Sequence, residues 1–289
     1  MMRATDRAAT TSEVFVSVEP GFAERLKWWR EHRGLSQLAL AGRAEISQRH
    51  LSFLEIGRAK PSRAMVDRLA AALAIPLRQH NALLLAAGFA PEWRQRDLQA
   101  PDMARVASAL DYMLAQQDPY PAVVVDRHWN LLRANSGAVR LVEFLVGPIA
   151  PGAKVNLADA LVAPDVLRPH LVNWVDVVRH FVRSVETDAA ADGSAETTAL
   201  LARLSGYRGV KAALATGAES AAASPVLAMH FRKGGVDLRL FTAIATLGTP
   251  QDITLQELRI ESFFPMDDAT AKLLRDWAQP KRRGKRARK

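Results

Sequence analysis

Between Pro20 and Arg96 the apolar residues recur at helical intervals, and turn residues interrupt them about every 10–15 positions. That spacing predicts five short helices. The first spans about 20–32, with Phe22, Leu26 and Trp29 inward, and Gly34 follows as the left-handed residue that ends it. Ser36 caps the second, about 36–43, with Leu38 and Ala41 inward. Ser47 caps the third, about 47–55, with Leu51 and Leu54 inward, and Gly57 suits its end. Ser62 caps the fourth, about 62–73, whose apolar stripe is Met65, Val66, Leu69 and Leu73. The fifth covers about 77–87 and stops at Gly88.

Beyond a polar, proline-bounded stretch, "FAPEWRQRDLQAP", the pattern changes. An amphipathic helix is expected over 102–117. Two apolar runs around "DRH" in 120–135 then read as strands joined by a tight turn. Helices are expected over 136–147, over 164–187 after Pro169, over 196–206 and over 267–278, with "TDAAADGSAE" as a loop. A hairpin is expected over 226–248, turning at Gly234-Gly235, where Val236, Leu238 and Leu240 alternate with Asp237, Arg239 and Phe241. "DITLQELRIESFFP" reads as a further strand. Antiparallel strands with interspersed helices make this second part an α+β domain. The expected organisation is an arm over 1–19, a helical domain over 20–96, a linker over 97–104, the α+β domain over 105–279 and a basic tail over 280–289.

Charge sharpens this division. Residues 21–96 carry thirteen Lys or Arg against six Asp or Glu, and the tail "KRRGKRARK" carries seven and no acid, out of a net +9 for 289 residues. The rest is near neutral or acidic, so the basic regions point to a polyanion partner. The tail either adds non-specific DNA affinity by counterion release or is a solvated end. No apolar run reaches the length of a membrane span. The N-terminus lacks the apolar region of a secretory signal, and there is no cysteine. A cytoplasmic, nucleoid-associated protein is expected. Motifs for a nucleophile elbow, a phosphate loop or a zinc site are missing, so neither catalysis nor a metal or other cofactor is expected.

The spacing of the second and third helices is that of a helix-turn-helix. "LKWWREHRGLSQLALAGRAEISQRHLSFLEIGRAKPSRAMVDRLAAAL" (26–73) resembles the phage-repressor/Cro, or XRE-like, family through Leu35-Ser36-Gln37, Ala41, Ser47, Leu51, Leu54, Glu55, Gly57 and Pro61. The resemblance implies a lambda-repressor-like five-helix domain whose third helix enters the major groove of a double-stranded operator. With Leu51 and Leu54 inward, Arg49, Ser52 and Phe53 turn outward, and Gln48 lies at the side in the first turn. Arg forks to guanine and Gln pairs with adenine. Phe53 either meets a thymine methyl or packs on the neighbouring loop. Ser47 lies at the same helix end, and Gln37 matches the family position that contacts the DNA backbone. Arg58, Lys60 and Arg63 are placed for phosphates, which position without specifying. In related repressors the Glu55 position pairs with an arginine of the first helix, here Arg30. Such proteins bind as homodimers, and the second domain and the Leu83–Leu85 region are candidate dimer surfaces.

"PAVVVDRHWNLLRAN", "NWVDVVRHFVRSV" (173–185) and "LLARLSGYRGVKAAL" (200–214) resemble the ligand-binding domain of MmyB-like regulators. That resemblance implies a PAS-like fold and a small apolar, fatty acid-like ligand. Trp129, Asn135, Trp174 and Arg179 are its candidate ligand residues, and each has an ordinary alternative as core, cap or surface. The reading that follows is a DNA-binding transcription regulator with a ligand-sensing domain. The alternative is a second domain that serves only for dimerisation or protein interaction.

Overall fold

The computed structural model describes residues 20–150, 152–216 and 225–279. The arm and the basic tail fall outside these. The chain divides into two compact units, Met1–Ala74 with Ala82–Ala90, and Ile75–Asn81 with Pro91–Lys289.

The first unit is helical. Its elements are α1 (Phe22–His32), α2 (Gln37–Arg43), α3 (Gln48–Glu55), α4 (Arg63–Ala72) and the later turns of α5 (Leu77–Ala86). Serine side chains start three of them. Ser36, Ser47 and Ser62 Oγ accept from the backbone N–H of Ala39, His50 and Met65 at 3.1, 3.1 and 3.3 Å. Leu26, Leu40, Leu51, Leu54, Val66, Leu69, Leu83 and Leu84 are fully buried. The α2 face differs from the sequence expectation. Leu38 is 67% exposed, and Leu40 and Ala41 are the buried pair. Leu40, Ala41 and Ala44 form one stripe at i, i+1 and i+4, and Leu38 stands about 200° from Leu40 on a helix of 100° per residue. Leu83 and Leu84 are core, which leaves Leu85, exposed at 57%, as the free member of that run.

The second unit is built on one antiparallel sheet in the order β2-β1-β5-β4-β3: β1 (Ala122–Val125), β2 (Leu131–Ala134), β3 (Met229–Lys233), β4 (Val236–Ala245) and β5 (Arg259–Pro265). Its helices are α6 (Ala104–Gln117), α7 (Ser136–Val146), α8 (Leu157–Val162), α9 (Trp174–Asp192), α10 (Ala195–Gly206), α11 (Val210–Ala215), α12 (Ile253–Glu257) and α13 (Asp268–Ala278). This is an α+β domain. The β1 sequence AVVV is buried at every position because both of its faces are covered. Ala122 and Val124, with Ile260, pack on Leu110 and Leu114 of α6. Val123 and Val125 face the larger core, shared with Leu141, Val178, Val182, Leu204, Leu238 and Leu240.

Gly234 and Gly235 turn the β3–β4 hairpin with φ of 56° and 79°, a left-handed pair that suits glycine. Two segments depart from expectation. Ile253–Glu257 is helical rather than strand, because the Asp252 carboxylate accepts the Thr254 N–H at 2.9 Å and starts a turn; β5 begins only at Arg259. The run TDAAAD continues α9 instead of forming a loop, as alanine favours, and Gly193 stops it at φ 59°.

Candidate DNA-reading surface and ligand cavity

The end of α3 is held by a buried ion pair. Arg30 Nε lies 2.6 Å and Nη2 3.1 Å from the two oxygens of Glu55, a forked pair between α1 and α3. The Glu55 side chain is 2% exposed. The hydrogen bond to Glu55 raises the Arg30 guanidinium above its ordinary value, against the opposing effect of burial. Arg30 Nη1 also donates to the Leu35 carbonyl at 2.9 Å, and Gln37 Nε2 donates to Glu55 at 2.8 Å. The turn between α1 and α2 is thereby tied to α3.

What this leaves on α3 is a polar outer face. Gln48 and Arg49 are exposed, and Ser52 and Phe53 are half-buried. The Arg49 guanidinium lies 5.4 Å from the centre of the Phe53 ring, one helical turn away on the same face. Ser47 caps the helix through its hydroxyl and is itself exposed. Arg58 and Lys60 are exposed. Gln37 and Arg63 are engaged within the fold, the first with Glu55 and the second with the Ala90 carbonyl at 3.1 Å.

In the second unit a cavity of about 410 Å³ lies between the sheet and α7, α8 and α9. Its floor follows from strand register. Val123, Glu261 and Ile244 stand side by side across β1, β5 and β4, and Phe263 pairs with Thr242 one pleat along. All five line the cavity. The wall from α7 and α8 is apolar: Ala138, Leu141, Val142, Leu145, Leu157 and Leu161. From α9 come Val177, His180, Phe181 and Ser184. His180 and Ile244 are both exposed, which puts the mouth beside them.

Trp129 enters this cavity from the β1–β2 turn. Asp126 organises that turn by accepting the N–H groups of His128 and Asn130 at 2.8 and 2.9 Å. Arg127, 8% exposed, is ion-paired with Asp192 at 3.2 Å and Glu257 at 3.4 Å. Trp129 itself has φ 66°, a left-handed conformation that a bulky residue rarely adopts. The ring lies edge-on to Phe181 at 4.7 Å, and its buried indole N–H has no partner among the described residues. Backbone strain and an unmet donor thus coincide at a cavity-lining residue.

The other three candidates do not line the cavity. Asn135 caps α7, accepting from Ala138 N at 2.8 Å and Ala122 N at 2.9 Å and donating to the carbonyls of Leu114 and Tyr120. Trp174 donates its indole N–H to the Leu161 carbonyl at 3.0 Å and lies under the Arg168 guanidinium. Arg179 binds Asp176 at 2.5 Å and the Thr216 carbonyl at 3.1 Å. The residue absent from the sequence reading is Glu261. It is 9% exposed, and burial pushes its carboxyl up to about 7, partly opposed by a hydrogen bond with Thr242 and by the charge of Arg259. Its only local sign is an acid inside the strand segment "RIESFFP".

Two family models match this chain: a helix-turn-helix domain over residues 22–83 and the MmyB-like transcription regulator ligand binding domain over residues 106–276. No curated protein matches it. Among solved structures, an RNA-binding light-oxygen-voltage receptor aligns with 94% of this chain and 67% of its own, at 12% identity and a TM-score of 0.30, a likeness too low to carry an argument. Both matched domains are regulator domains, and among the described residues no helix is long and apolar enough to cross a membrane. With the second model covering more than half of its length, the chain belongs to the MmyB-like transcription regulators, a DNA-binding helix-turn-helix domain followed by the family's ligand-binding domain.

Proposed function

We propose that α3 reads base edges in the major groove of a specific operator through Gln48, Arg49, Ser52 and Phe53. Arg58 and Lys60 hold the flanking phosphates, and the exposed serine-capped start of α3 adds its N–H groups. One such helix spans only a few base pairs, so the reading includes a homodimer on two half-sites about one turn apart. The second domain senses a small molecule with an apolar body, which occupies the cavity lined by Trp129. Binding shifts operator affinity to the extent that the ligand prefers one arrangement of the dimer.

The observation that carries the sensing role is the cavity itself. A domain that only dimerises needs no 410 Å³ of apolar-walled space beside a strained tryptophan with an open N–H. The test has two parts. Operators are selected from random duplex DNA by the full-length protein, and their affinity is measured by fluorescence anisotropy. Native mass spectrometry of the purified protein then reports bound small molecules. Recovery of a two-fold symmetric sequence, together with a ligand that changes its affinity, is the expected outcome. Selection without any enriched sequence would remove the DNA-reading role. A protein that never takes up an apolar molecule would leave the second domain as an interaction module.

A further inference from the structure

Several arginines of the first unit spend their guanidinium groups on the fold. Arg30 pairs with Glu55, and Arg25, Arg33 and Arg63 donate to the carbonyls of Pro20, Leu73 and Ala90 at 2.8, 3.0 and 3.1 Å. Arg49 does not. It has no hydrogen bond or ion pair among the described residues, and the group that meets its guanidinium is the Phe53 ring, with 5.4 Å to the ring centre. Arg33 also lies over a ring, that of Trp29 at 4.8 Å, but its bond to the Leu73 carbonyl ties it down as well. At Arg49 the ring is the whole restraint.

Phe53 is placed to support rather than to read. It stands one turn after Arg49, about 6 Å further along the axis. Side chains on a helix lean toward its N-terminus, so the ring lies back over the turn that carries Arg49. A recognition helix meets base edges with its N-terminal residues; Arg49 is in the first turn of α3 and Phe53 in the last. The Phe53 carbonyl accepts the N–H groups of Arg58 and Ala59 at 2.8 and 3.1 Å, so the turn that ends α3 fixes the backbone behind the ring. The ring is half-buried and Arg49 is exposed.

We propose that Phe53 is a positioning residue: its ring confines the Arg49 side chain on the outer face of α3, and so sets the preference at the base pair Arg49 reads, without itself touching a base. This rests on the DNA-reading role proposed above and changes the part Phe53 plays in it, from a reader of base edges to the support of one. The physical reason is entropy. A long, free side chain loses rotamer freedom when it forms a forked contact, and that loss is subtracted from the preference. A ring that already confines the guanidinium removes part of the loss before DNA arrives. The donors of a guanidinium lie in its own plane, so an aromatic face on one side of it leaves the fork open.

The experiment uses the full-length protein and a duplex enriched from random DNA by the wild type. Arg49→Ala identifies the base pair at which preference is lost. The readout is the ratio of affinities, by fluorescence anisotropy, for that duplex and for one changed at this base pair alone. Phe53→Leu keeps apolar bulk and loses the ring; it should lower the ratio about two- to fivefold, the range for a cation–π contact at an exposed site. Phe53→Tyr keeps the ring and should rescue the ratio. In an Arg49→Ala background Phe53→Leu should change nothing further, because the side chain it supports is gone. The same loss in that background, or a loss confined to a different base pair, would overturn the proposal in favour of a direct base contact. A lower Tm with uniformly weaker binding and an unchanged ratio would overturn it in favour of packing alone. Both results leave Arg49 as a reader. If no base pair loses its preference in Arg49→Ala, the reading register and the proposal fall together.

Discussion

Replacing Glu261 by Gln isolates the cost of burying a carboxylate. Gln keeps the shape and a hydrogen-bonding group for Thr242, and it removes the titration. In the folded chain the carboxyl is pushed up to about 7 from 4.5, chiefly by burial. The folded state therefore retains a proton that the unfolded chain has released over the interval between those values. Below that interval both states are protonated and the group is neutral in the balance. As pH rises through it, stability falls, and above about 7 the loss is complete. A difference of about 2.5 units at 1.36 kcal/mol each is a penalty of about 3 kcal/mol at pH 8. At pH 5, where the unfolded carboxyl is already mostly ionised but only a small part of that interval has been crossed, it is about 1 kcal/mol.

The described strands all lie in the second unit, so the β-sheet band of the infrared amide I region reports its unfolding. For a unit of this size 1 kcal/mol moves Tm by about 2–4 °C. Glu261→Gln should thus raise the Tm of that band by roughly 6–12 °C at pH 8 and by only about 2–4 °C at pH 5. An equal gain at both values, or a wild-type protein that becomes more stable between pH 5 and pH 8 relative to the variant, would refute the reasoning.

Other perturbations address the remaining parts. Arg30→Met and Glu55→Met should each cost about 3–5 kcal/mol, because each strands a buried charge, while the double variant should cost far less than the sum; additivity in urea unfolding would contradict a coupled pair. Arg49→Ala should lose about 1–3 kcal/mol on a selected operator and flatten sequence preference, whereas Lys60→Ala should weaken all sequences alike and lower the salt slope by about one; an intact preference in Arg49→Ala would place the reading face elsewhere. In Gly137→Ala the new Cβ would sit 2.6 Å from the Pro119 carbonyl and 2.8 Å from that of Tyr120, so α7 must shift. A loss of about 1–3 kcal/mol in the second unit is expected, and an unchanged Tm would mean that the contact yields freely.

The two sites differ in how far they could be read from the chain, and the difference is one of range. The α2–α3 surface is assembled within residues 36–60 from helix starts, and serine capping is a contact over three residues. Its signals lie in adjacent sequence. Even there the apolar pattern sets Leu38 inward beside Ala41, and the structure keeps Ala41 but buries Leu40 in place of Leu38, since both leucines are apolar and only the packing of Ala41 and Ala44 decides between them. The cavity instead joins Val123 to Glu261 and Ile244, and the β1–β5 pairing that does so bridges more than a hundred positions. In "RIESFFP" both strand phases mix polar and apolar residues, so alternation alone does not say which one faces the core. Pairing with β1 decides it. Ile260 goes to the α6 side with Val124, and Glu261 goes to the cavity with Val123. The same logic explains Asn135, Trp174 and Arg179. Each is a polar or amphipathic residue within a family-like segment, and each spends its polar atoms on nearby backbone or a neighbouring turn. A buried polar group becomes evidence for a ligand only after the fold's own hydrogen bonds have been subtracted, and at Trp129 that subtraction leaves the buried indole N–H without a partner among the described residues.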